Sequence, residues 1–446
     1  MSDRKTGQSR RDFIETLGVI GAAGAVGAVA AGCSQRNREL YPDYTYPPLL
    51  EQAPDGPVLK AGLIGCGGRG TGAAQQFLES GPNLEVIALA DYFQDRLDNC
   101  RRTLLEEKGV AIPDENCFHG FDGYLRLLET DVDVVLMATP PFFRPEHFEA
   151  CVEARKHVFI EKPVAVDPVG CRSVMASARK ADGAGLCVVT GTQRRHQSDY
   201  LDTFRQVAGG AIGEVVGANV YWNGQVPWWR DRQSGWTDME YMLRDWVNWT
   251  WLSGDHIVEQ HVHNLDVANW FLGDSHPEKA VGFGGRARRP TGDQFDNFSI
   301  DFTYEGEIHV HSMCRQIAGC ANNVSELVRG TAGYTNCFDT IWNTDGSGQW
   351  SHAYPTDAEE EQINPRPYLQ EHIDLVTAIR TNQPVNEAER TAVSTLTAIM
   401  GRISCYTGQE VTWDEMMASD LKIGPDQLTL GPSDLIRAVV PVPGRE

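Results

Sequence analysis

Lys162 and His263 are the side chains of this sequence that best suit proton exchange with a bound molecule. Lys162 belongs to the motif Glu161-Lys162-Pro163, directly after the apolar run His157–Ile160. A short apolar run of this kind predicts a buried parallel strand, and ligands of such sheets bind beyond the carboxyl ends of the strands. A partly desolvated lysine at that edge is suited to exchange a proton with a hydroxyl group.

His263 lies in a segment, 256–272, whose pattern predicts a helix. On one helix Glu259 and His263, four residues apart, share a face, so the carboxylate is expected to orient the imidazole. The neighbouring His256 and His261 raise a metal site as an alternative, but their spacing is not that of a His-Glu-x-x-His zinc motif. A structural histidine is the other alternative. We therefore predict catalytic roles for the lysine, the histidine and the glutamate, and no metal site.

A glycine-rich turn indicates where a nucleotide binds. Gly65-Cys66-Gly67-Gly68-Arg69-Gly70 follows the apolar run Leu59–Ile64 and opens a helical pattern. In such a turn the first glycine permits the tight bend, the second lets the backbone approach a pyrophosphate, and the third permits close packing of helix on strand. Asp91 ends the next predicted strand, where an acid binds the adenosine ribose and favours NAD, although Arg96 leaves NADP open. The alternative is a structural turn without a ligand.

The elements that must position these residues change in type near residue 190. Up to that point predicted strands alternate with predicted helices, which indicates a doubly wound parallel sheet. The predicted strands there are 59–64, 84–90, 133–138, 157–160 and 186–190. Beyond it, the predicted strands 214–221, 280–283, 299–304, 307–314 and 326–330 suit an open, mainly antiparallel sheet, with helices near 197–207, 237–250, 256–272, 367–381 and 387–407. The predicted fold class is therefore α/β with two different sheets.

The glycine turn, Asp91, Thr139-Pro140-Pro141 and Glu161-Lys162-Pro163 together resemble the Gfo/Idh/MocA (glucose–fructose oxidoreductase/inositol dehydrogenase) family. The resemblance extends from Val58 to about Asp414. It implies a Rossmann domain, then an α/β domain whose open sheet often forms dimer or tetramer contacts. It also implies hydride transfer to or from a sugar or cyclitol carbon, with Lys162 matching the catalytic lysine of the family.

The second motif of that family usually reads Asp-x-Gly-x-His-x-x-Asp on a helix, and the matching segment here is Glu259–Asp266. His263 matches the histidine that the family uses as acid/base or substrate ligand. Glu259 replaces the aspartate and His261 the glycine, which puts the usual substrate geometry of the family in question. The predicted cofactor contacts are Gly65, Gly67, Gly68, Arg69, Gly70, Asp91, Thr139, Pro140, Glu161 and Lys162.

Seven tryptophans crowd one segment of the second half: Trp222, Trp228, Trp229, Trp236, Trp246, Trp249 and Trp251. Aromatic faces stack on the C–H faces of a pyranose, and polar neighbours bind its hydroxyl groups. Any single tryptophan is more often a core or interface residue, but the segment as a whole predicts the edge of a carbohydrate cleft. In Arg194-Arg195-His196, one arginine is expected to face the substrate and the other to pair with an acid. The predicted substrate contacts are Arg194, Trp228, Trp229, Arg230, Trp236 and Asp238.

The N-terminus and the overall charge indicate where the protein acts. Ser9-Arg10-Arg11-Asp12-Phe13-Ile14 precedes a weakly apolar stretch, 19–31, and resembles a twin-arginine export signal. Ala30-Ala31-Gly32-Cys33 resembles a lipoprotein processing site, with Cys33 as the lipidated residue. The alternative is a disordered start or a lone amphipathic helix. The net charge of −22 repels phosphates and anionic lipid, so we expect no nucleic-acid partner.

The predicted division of the chain has five parts. A signal occupies 1–33, a linker or arm 34–57, an NAD(P)-binding Rossmann domain 58–190, an α/β substrate domain 191–420 and a tail 421–446. The expected protein is a periplasmic or membrane-anchored homodimer or homotetramer.

The leading functional hypothesis is an exported oxidoreductase that acts on a sugar, glycoside or cyclitol. Because no free NAD pool exists outside the cytoplasm, export favours a tightly held nicotinamide and a closed redox cycle. A redox-assisted glycoside hydrolase or lyase, which oxidises a ring hydroxyl transiently and reduces it again, is the first alternative. A sugar-binding lipoprotein without activity is the second, and the intact Lys162 and glycine turn argue against it.

Overall fold

The computed structural model of this protein describes Tyr41, Tyr44 and residues 46–354, 366–437 and 439–444. The predicted export signal and Cys33 lie outside the described residues. Within these ranges no helix is long and apolar enough to cross a membrane.

The first half of the chain forms a parallel sheet of six strands in the order β3-β2-β1-β4-β5-β6. The strands are β1 Leu59–Ile64, β2 Leu84–Asp91, β3 Cys117–His119, β4 Val134–Met137, β5 His157–Ile160 and β6 Val188–Thr190. The strand order reverses between β1 and β4, which creates a crevice at their carboxyl ends. The predicted doubly wound parallel sheet is confirmed, and the three-residue β3 was not predicted.

Helices cover both faces of this sheet because nearly every residue of its central strands is apolar and buried. They are α1 Gly68–Glu79, α2 Gln94–Lys108, α3 Gly123–Leu128, α4 Arg144–Glu153 and α5 Pro168–Ala184. Helix α5 shows how the local sequence starts a helix. Asp167 accepts a hydrogen bond from Gly170 N at 2.7 Å, and Pro168 occupies the first helical position.

The second sheet has nine strands in the described part of the chain, in the order β14-β13-β12-β11-β7-β10-β9-β8-β15. They are β7 Val215–Gly224, β8 Lys279–Gly285, β9 Asn297–Tyr304, β10 Ile308–Gln316, β11 Asn323–Gly330, β12 Gly333–Thr335, β13 Thr340–Asn343, β14 Gly348–Ser351 and β15 Val411–Thr412. Only the β7–β10 pair is parallel among these neighbours. The predicted mainly antiparallel sheet is confirmed. Strands β12 to β15 were not predicted because each has only two to four residues.

Three of the five predicted helices of the second half are confirmed to within one residue at each end, and two are shorter than predicted. They are α6 Ser198–Ala208, α7 Asp238–Arg244, α8 Thr250–Ser253, α9 His256–Glu259, α10 Val262–Phe271, α11 Pro367–Thr381, α12 Ala388–Thr407 and α13 Trp413–Ala418. The predicted helix 256–272 was wrong as one unit, since it breaks between α9 and α10. The predicted helix 237–250 likewise ends at Arg244.

The last long helices return to the first sheet. Ile373 and Val376 of α11 are buried in the same core as Ala61 and Leu63 of β1. Helix α12 packs against both α5 and β8, so it joins the two sheets. Each fully buried Ile or Val stabilises the fold by about 1.5–3 kcal/mol. The core around the first sheet therefore includes residues far beyond 190, and the predicted domain limits stay a prediction.

Two tyrosines of the predicted linker pack against the second half of the chain, whereas Ala53 is buried in the core of the first sheet. The Tyr41 hydroxyl donates a hydrogen bond to Phe271 O at 2.7 Å. The Tyr44 ring lies near the rings of Phe204 and Trp270, with centroid distances of 4.9 and 6.0 Å. These two tyrosines form a docked arm rather than a free tether, because burying an aromatic ring is favourable.

Candidate functional site

The glycine turn between β1 and α1 uses two of its glycines for packing and leaves two open. Gly65 has φ +97°, and a Cβ added there would lie 2.7 Å from the backbone of Ala138. A Cβ on Gly70 would lie 1.8 Å from Gly65 O. A Cβ on Gly67 or Gly68 would meet no atom within 4 Å. The open glycines let a phosphate approach the N-terminus of α1, where backbone N–H groups and the helix dipole favour negative charge.

A cavity of about 360 Å³ opens in front of this turn. Its size is within the range of small-molecule sites. The predicted contacts Gly65, Gly67, Gly68, Arg69, Gly70, Asp91, Thr139 and Pro140 all line it. The open glycines and this cavity fit a dinucleotide, which the parallel sheet binds at the same edge in proteins of this architecture.

Asp91 stands at the carboxyl end of β2 and is tied to the glycine turn. One carboxylate oxygen accepts a hydrogen bond from Cys66 N at 2.7 Å, and the other accepts one from Phe93 N at 2.8 Å. Burial raises the pKa of Asp91, while these two backbone donors lower it. The side chain therefore braces the turn in addition to lining the cavity.

Arg69 and Glu161, both predicted as cofactor contacts, bind each other. The Arg69 guanidinium donates to the Glu161 carboxylate, to Gln76 Oε1 at 2.8 Å and to Glu371 Oε2 at 3.3 Å. Glu161 also accepts a hydrogen bond from Lys162 N at 3.1 Å. Of this pair only Arg69 lines the cavity, and the pair connects the glycine turn to the residue before the predicted catalytic lysine.

Lys162 contacts the break between α9 and α10. Its Nζ donates to the backbone carbonyl of Glu259 and lies 3.4 Å from Glu259 Oε1. The carbonyl is available because His263 N donates to Gln260 O at 3.2 Å instead of continuing the α-helical ladder. The expected orientation of the imidazole by Glu259 was wrong: no hydrogen bond joins Glu259 to His263 among the described residues, since the break separates the two faces.

His263 is buried and its ring stacks on Trp222, with centroids 5.8 Å apart and an interplanar angle of 23°. Burial lowers the pKa of His263 well below its usual value, and the charges of Lys162 and Arg194 lower it further. The imidazole is therefore neutral near pH 7 and has a lone pair to accept a proton. Trp222 was not among the predicted contacts, and its position on β7 opposite α10 is set by tertiary packing.

The other histidines of this segment have structural partners. His256 Nδ1 lies 3.0 Å from Asp255 Oδ1, and His261 Nε2 lies 2.7 Å from Ser312 Oγ. Within the part of the chain that the structure describes, no group of three or more His, Cys, Asp or Glu side chains is arranged to hold a metal ion.

Arg194 and Arg195 both pair with acids. Arg195 donates to Asp266 at 2.8 and 3.0 Å, as expected for one of the two arginines. Arg194 donates to Glu326, and its guanidinium lies 6.0 Å from the centroid of the Trp222 ring. Arg194 is thus close to His263 through a shared aromatic neighbour.

The tryptophan-rich segment lies at the Asp91 end of the cavity. Trp228 and Arg230 line the cavity together with Asp91. No hydrogen bond or ring contact connects this segment from 225 to 252 to Lys162 or His263 among the described residues. Trp222, the first tryptophan of the predicted segment, does stack on His263, and the predicted carbohydrate cleft stays a prediction.

The remaining predicted substrate contacts lie outside the cavity wall. Trp229 is 51% exposed, and the Trp236 ring centroid lies 5.1 Å from the Arg244 guanidinium. Asp238 pairs with Arg232 at 2.7 Å and begins α7. Trp249 and Trp251 are buried in a separate core cluster. These positions are consistent with the ordinary structural role of single tryptophans.

Comparisons with known proteins agree with this geometry. Residues 59–189 match the Gfo/Idh/MocA family model described as "Oxidoreductase family, NAD-binding Rossmann fold". Inositol 2-dehydrogenase of Salmonella typhimurium is 25% identical over 228 residues, which are 51% of this chain and 58% of the relative. The scyllo-inositol 2-dehydrogenase (NADP(+)) of Bacillus subtilis is 25% identical over 251 residues, 55% of this chain and 60% of the relative. The chain thus spans about three fifths of the length of these curated relatives.

Two further similarities bear on fold and function. Scyllo-inositol dehydrogenase from Lactobacillus casei with bound NAD(H) and scyllo-inositol superposes with a TM-score of 0.60 at 20% identity, over 81% of this chain and 100% of the other. This likeness shows the shared α/β fold. "Glycosyl hydrolase family 109 protein 5" of Phocaeicola vulgatus is 27% identical over 174 residues, 39% of this chain and 32% of the relative.

Proposed function

We propose that this chain, whose residues 59–189 match the family model of NAD-binding Gfo/Idh/MocA oxidoreductases, transfers hydride to or from a CH–OH carbon of a cyclitol or sugar. The supporting observation is the continuity of the site. The cavity in front of the open glycines includes Arg69, which binds the residue before Lys162, and Lys162 contacts the helix break next to a neutral His263.

The protein's own residues supply the proton chemistry. A bound nicotinamide accepts or donates the hydride, and oxidation of a CH–OH group also releases the hydroxyl proton. The Lys162 amine, fixed by the carbonyl of residue 259, can hold that proton near the substrate oxygen. The neutral imidazole of His263 is a second group that can accept a hydrogen bond or a proton from a neighbouring hydroxyl.

The charges around the site favour an uncharged polyhydroxylated substrate. Lys162 pairs with Glu259, and Arg194 pairs with the buried Glu326. Arg69 is held by two glutamates. Because each of these cations already has a carboxylate partner, none of them is free to bind an anionic substrate group. Trp222, stacked on His263, offers the aromatic surface for a ring C–H face.

A Lys162→Met variant tests this proposal. The purified protein is supplied with NAD or NADP and a panel of cyclitols and sugars, and formation of reduced nicotinamide is followed by absorbance. We expect turnover to fall by about 10²–10⁴-fold, as for loss of a proton-transfer group. Lys180→Met, at a half-exposed surface lysine, is the matched control. Unchanged turnover in Lys162→Met, with circular dichroism equal to wild type, would contradict the proposal.

Redox-neutral glycoside cleavage is the second candidate, supported by the partial similarity to a protein named as a glycosyl hydrolase. In that reaction a ring hydroxyl is oxidised, the aglycone is eliminated, water adds, and the ketone is reduced again. Release of nitrophenol from nitrophenyl glycosides without net reduction of the nicotinamide would favour this candidate. Net reduction without aglycone release would favour the dehydrogenase.

We further propose export by the twin-arginine route, with a tightly held nicotinamide. The support is the Arg10-Arg11 motif and the lipoprotein-like Cys33 in the sequence. Fractionation of cells that express the full chain tests it: Arg10→Lys/Arg11→Lys should retain the protein in the cytoplasm, and Cys33→Ser should release it from membranes. Wild-type protein confined to the cytoplasm would contradict export.

A homodimer or homotetramer is part of the same proposal. Exposed apolar side chains on the second sheet support it, with Phe283 at 72% and Val281 at 51% exposure. Light scattering during size exclusion measures the assembly state, and a monomer at micromolar concentration would contradict it.

A further inference from the structure

The Asp91 end of the cofactor cavity is built from both halves of the chain. Asp91 and Arg96 come from the first half, and Trp228, Arg230 and Trp246 come from the second. Neither half completes this end of the cavity alone. A ligand group bound here contacts side chains that are far apart in sequence.

Two arginines of this wall form no close ion pair, although carboxylates lie near them: Arg96 lowers the pKa of Asp91 and of Asp95, and Asp245 and Asp95 raise that of Arg230. Among the described residues, no ion pair or side-chain hydrogen bond engages the guanidinium groups of Arg96 and Arg230. The other two arginines of the cavity are neutralised, since Arg69 pairs with Glu161 and Arg244 pairs with Asp95. In a chain with a net charge of −22, two unpaired arginines in one cavity wall indicate an anion site.

Arg230 is held in place rather than displayed on a loose loop. Its backbone N donates to Asp245 Oδ1 at 2.7 Å, and Asn248 Nδ2 donates to the Trp228 carbonyl at 3.2 Å. The Arg230 guanidinium lies 5.4 Å from the centroid of the Trp228 ring. The Trp228 ring in turn meets Trp246 edge-on at 6.0 Å. These contacts hold the backbone of Trp228 and Arg230 beside the cavity, while the Arg230 side chain itself is exposed and accessible to a ligand.

Backbone donors bind both oxygens of the Asp91 carboxylate at this wall, and each oxygen keeps a further lone pair. An acid at the end of the second strand ordinarily binds the ribose hydroxyls and repels a phosphate on the ribose. Here each carboxylate oxygen already accepts a backbone hydrogen bond, from Cys66 and from Phe93. Two N–H dipoles therefore offset its charge, and Arg96 lies on the same side of the cavity.

We propose that Arg96 and Arg230 form a subsite for the 2′-phosphate of NADP(H), so that the protein binds NADP(H) more tightly than NAD(H). The inference rests on the proposed dinucleotide-dependent function and goes beyond it. Guanidinium groups suit a phosphate monoester because they form paired, charge-assisted hydrogen bonds with its oxygens. The subsite uses a residue of the second half, Arg230, which no motif of the glycine turn signals.

Binding measurements on protein freed of nucleotide test the subsite without relying on turnover. Isothermal titration gives Kd for NADP⁺, NAD⁺ and adenosine 2′,5′-bisphosphate with wild type, Arg96→Gln and Arg230→Gln. We expect wild type to prefer NADP⁺ over NAD⁺. Each substitution should weaken NADP⁺ and bisphosphate binding by about 10- to 100-fold, while NAD⁺ binding changes less than about twofold.

Arg232→Gln is the matched control, because Arg232 belongs to the same loop but pairs with Asp238 outside the cavity. It should leave both affinities unchanged. Equal or tighter wild-type binding of NAD⁺, or equal weakening of both dinucleotides in Arg230→Gln, would overturn the subsite but leave the oxidoreductase proposal intact. Failure to bind either dinucleotide would instead contradict the proposed function itself.

Discussion

The glycine turn and the Lys162–His263 cluster are connected through Arg69 and Glu161 but are held by different means. The turn works through its backbone: six contiguous residues place Gly67 and Gly68 in front of the cavity, and Gly65 and Gly70 remove Cβ atoms that would clash. The cluster is made of side chains from three separate segments. Trp222 comes from β7, Lys162 follows β5, and Glu259 and His263 lie on either side of the break between α9 and α10. A backbone site is determined locally, whereas the cluster depends on where a helix breaks.

This difference also predicts how each region fails when it is altered. At Gly65 and Gly70 an added methyl group has no room, because the nearest atoms belong to the backbone and cannot move without opening the turn. In the cluster, a lost charge leaves the fold largely intact but leaves a partner unpaired. Lys162 and Glu259 are only 12% and 14% exposed, so the unpaired partner remains poorly solvated.

Gly70→Ala should give the largest effect. A Cβ at this position would lie 1.8 Å from Gly65 O, so the turn must open, at a cost of about 1–3 kcal/mol or more. We expect a lower melting temperature and no measurable dinucleotide binding. Thermal unfolding and isothermal titration check both.

Gly67→Ala is the matched control within the same turn. Its added Cβ meets no protein atom within 4 Å, and its backbone has φ −74°, which any residue adopts. The melting temperature of the protein without nucleotide should stay at the wild-type value, while dinucleotide affinity falls because the methyl group occupies space meant for phosphate. Equal destabilisation by both substitutions would show that the two pairs of glycines do not have separate roles.

Glu259→Gln should give the next largest effect. The variant keeps the backbone carbonyl that binds Lys162 Nζ but removes the carboxylate charge. We expect kcat to fall by roughly tenfold, about 1.4 kcal/mol of transition-state stabilisation, with KM little changed. Steady-state kinetics with the preferred cyclitol or sugar measure the two constants.

Glu149→Gln, at a surface ion pair with Lys180, controls for a general effect of removing a negative charge. A Glu259→Gln variant that changes KM alone would show that the carboxylate binds substrate rather than positions the lysine.

The sequence was informative where a feature depends on neighbouring residues. The turn 65–70, the position of Lys162 after β5 and five of the six strands of the parallel sheet follow from short apolar runs and glycine spacing. The helix break at 260–261 was not predictable in this way. All residues of α10 are buried, so the segment carries no amphipathic period that would show its start.

The contacts that place the break and the tryptophans come from distant strands and loops. His261 is held by Ser312 of β10, fifty-one residues away, and Trp222 meets His263 only because β7 packs against α10. The loop around Trp228 shows the same limit: Asp245 binds the backbone of Arg230 and Asn248 binds the carbonyl of Trp228, and these contacts hold the loop beside the cofactor cavity. Composition indicates what a segment can bind, and tertiary packing decides where it lies.

The pH profile of wild type should show the smallest effect and compares the two regions directly. Burial and the charges of Lys162 and Arg194 lower the pKa of His263 well below 6.5, so the imidazole stays neutral as pH falls through that value. Activity that needs neutral His263 is therefore retained at pH 6 and lost only on further acidification.

The measurement is kcat/KM between pH 5 and 8, with nucleotide affinity recorded at each pH so that loss of cofactor from the glycine turn is separated from titration of the cluster. His263→Asn, which keeps a polar group without a titrating imidazole, should be less active at every pH and should lack the acidic decline. An acidic limb of wild type centred near pH 6.5 that disappears in His263→Asn would contradict this expectation, because it would show that the imidazole is solvated.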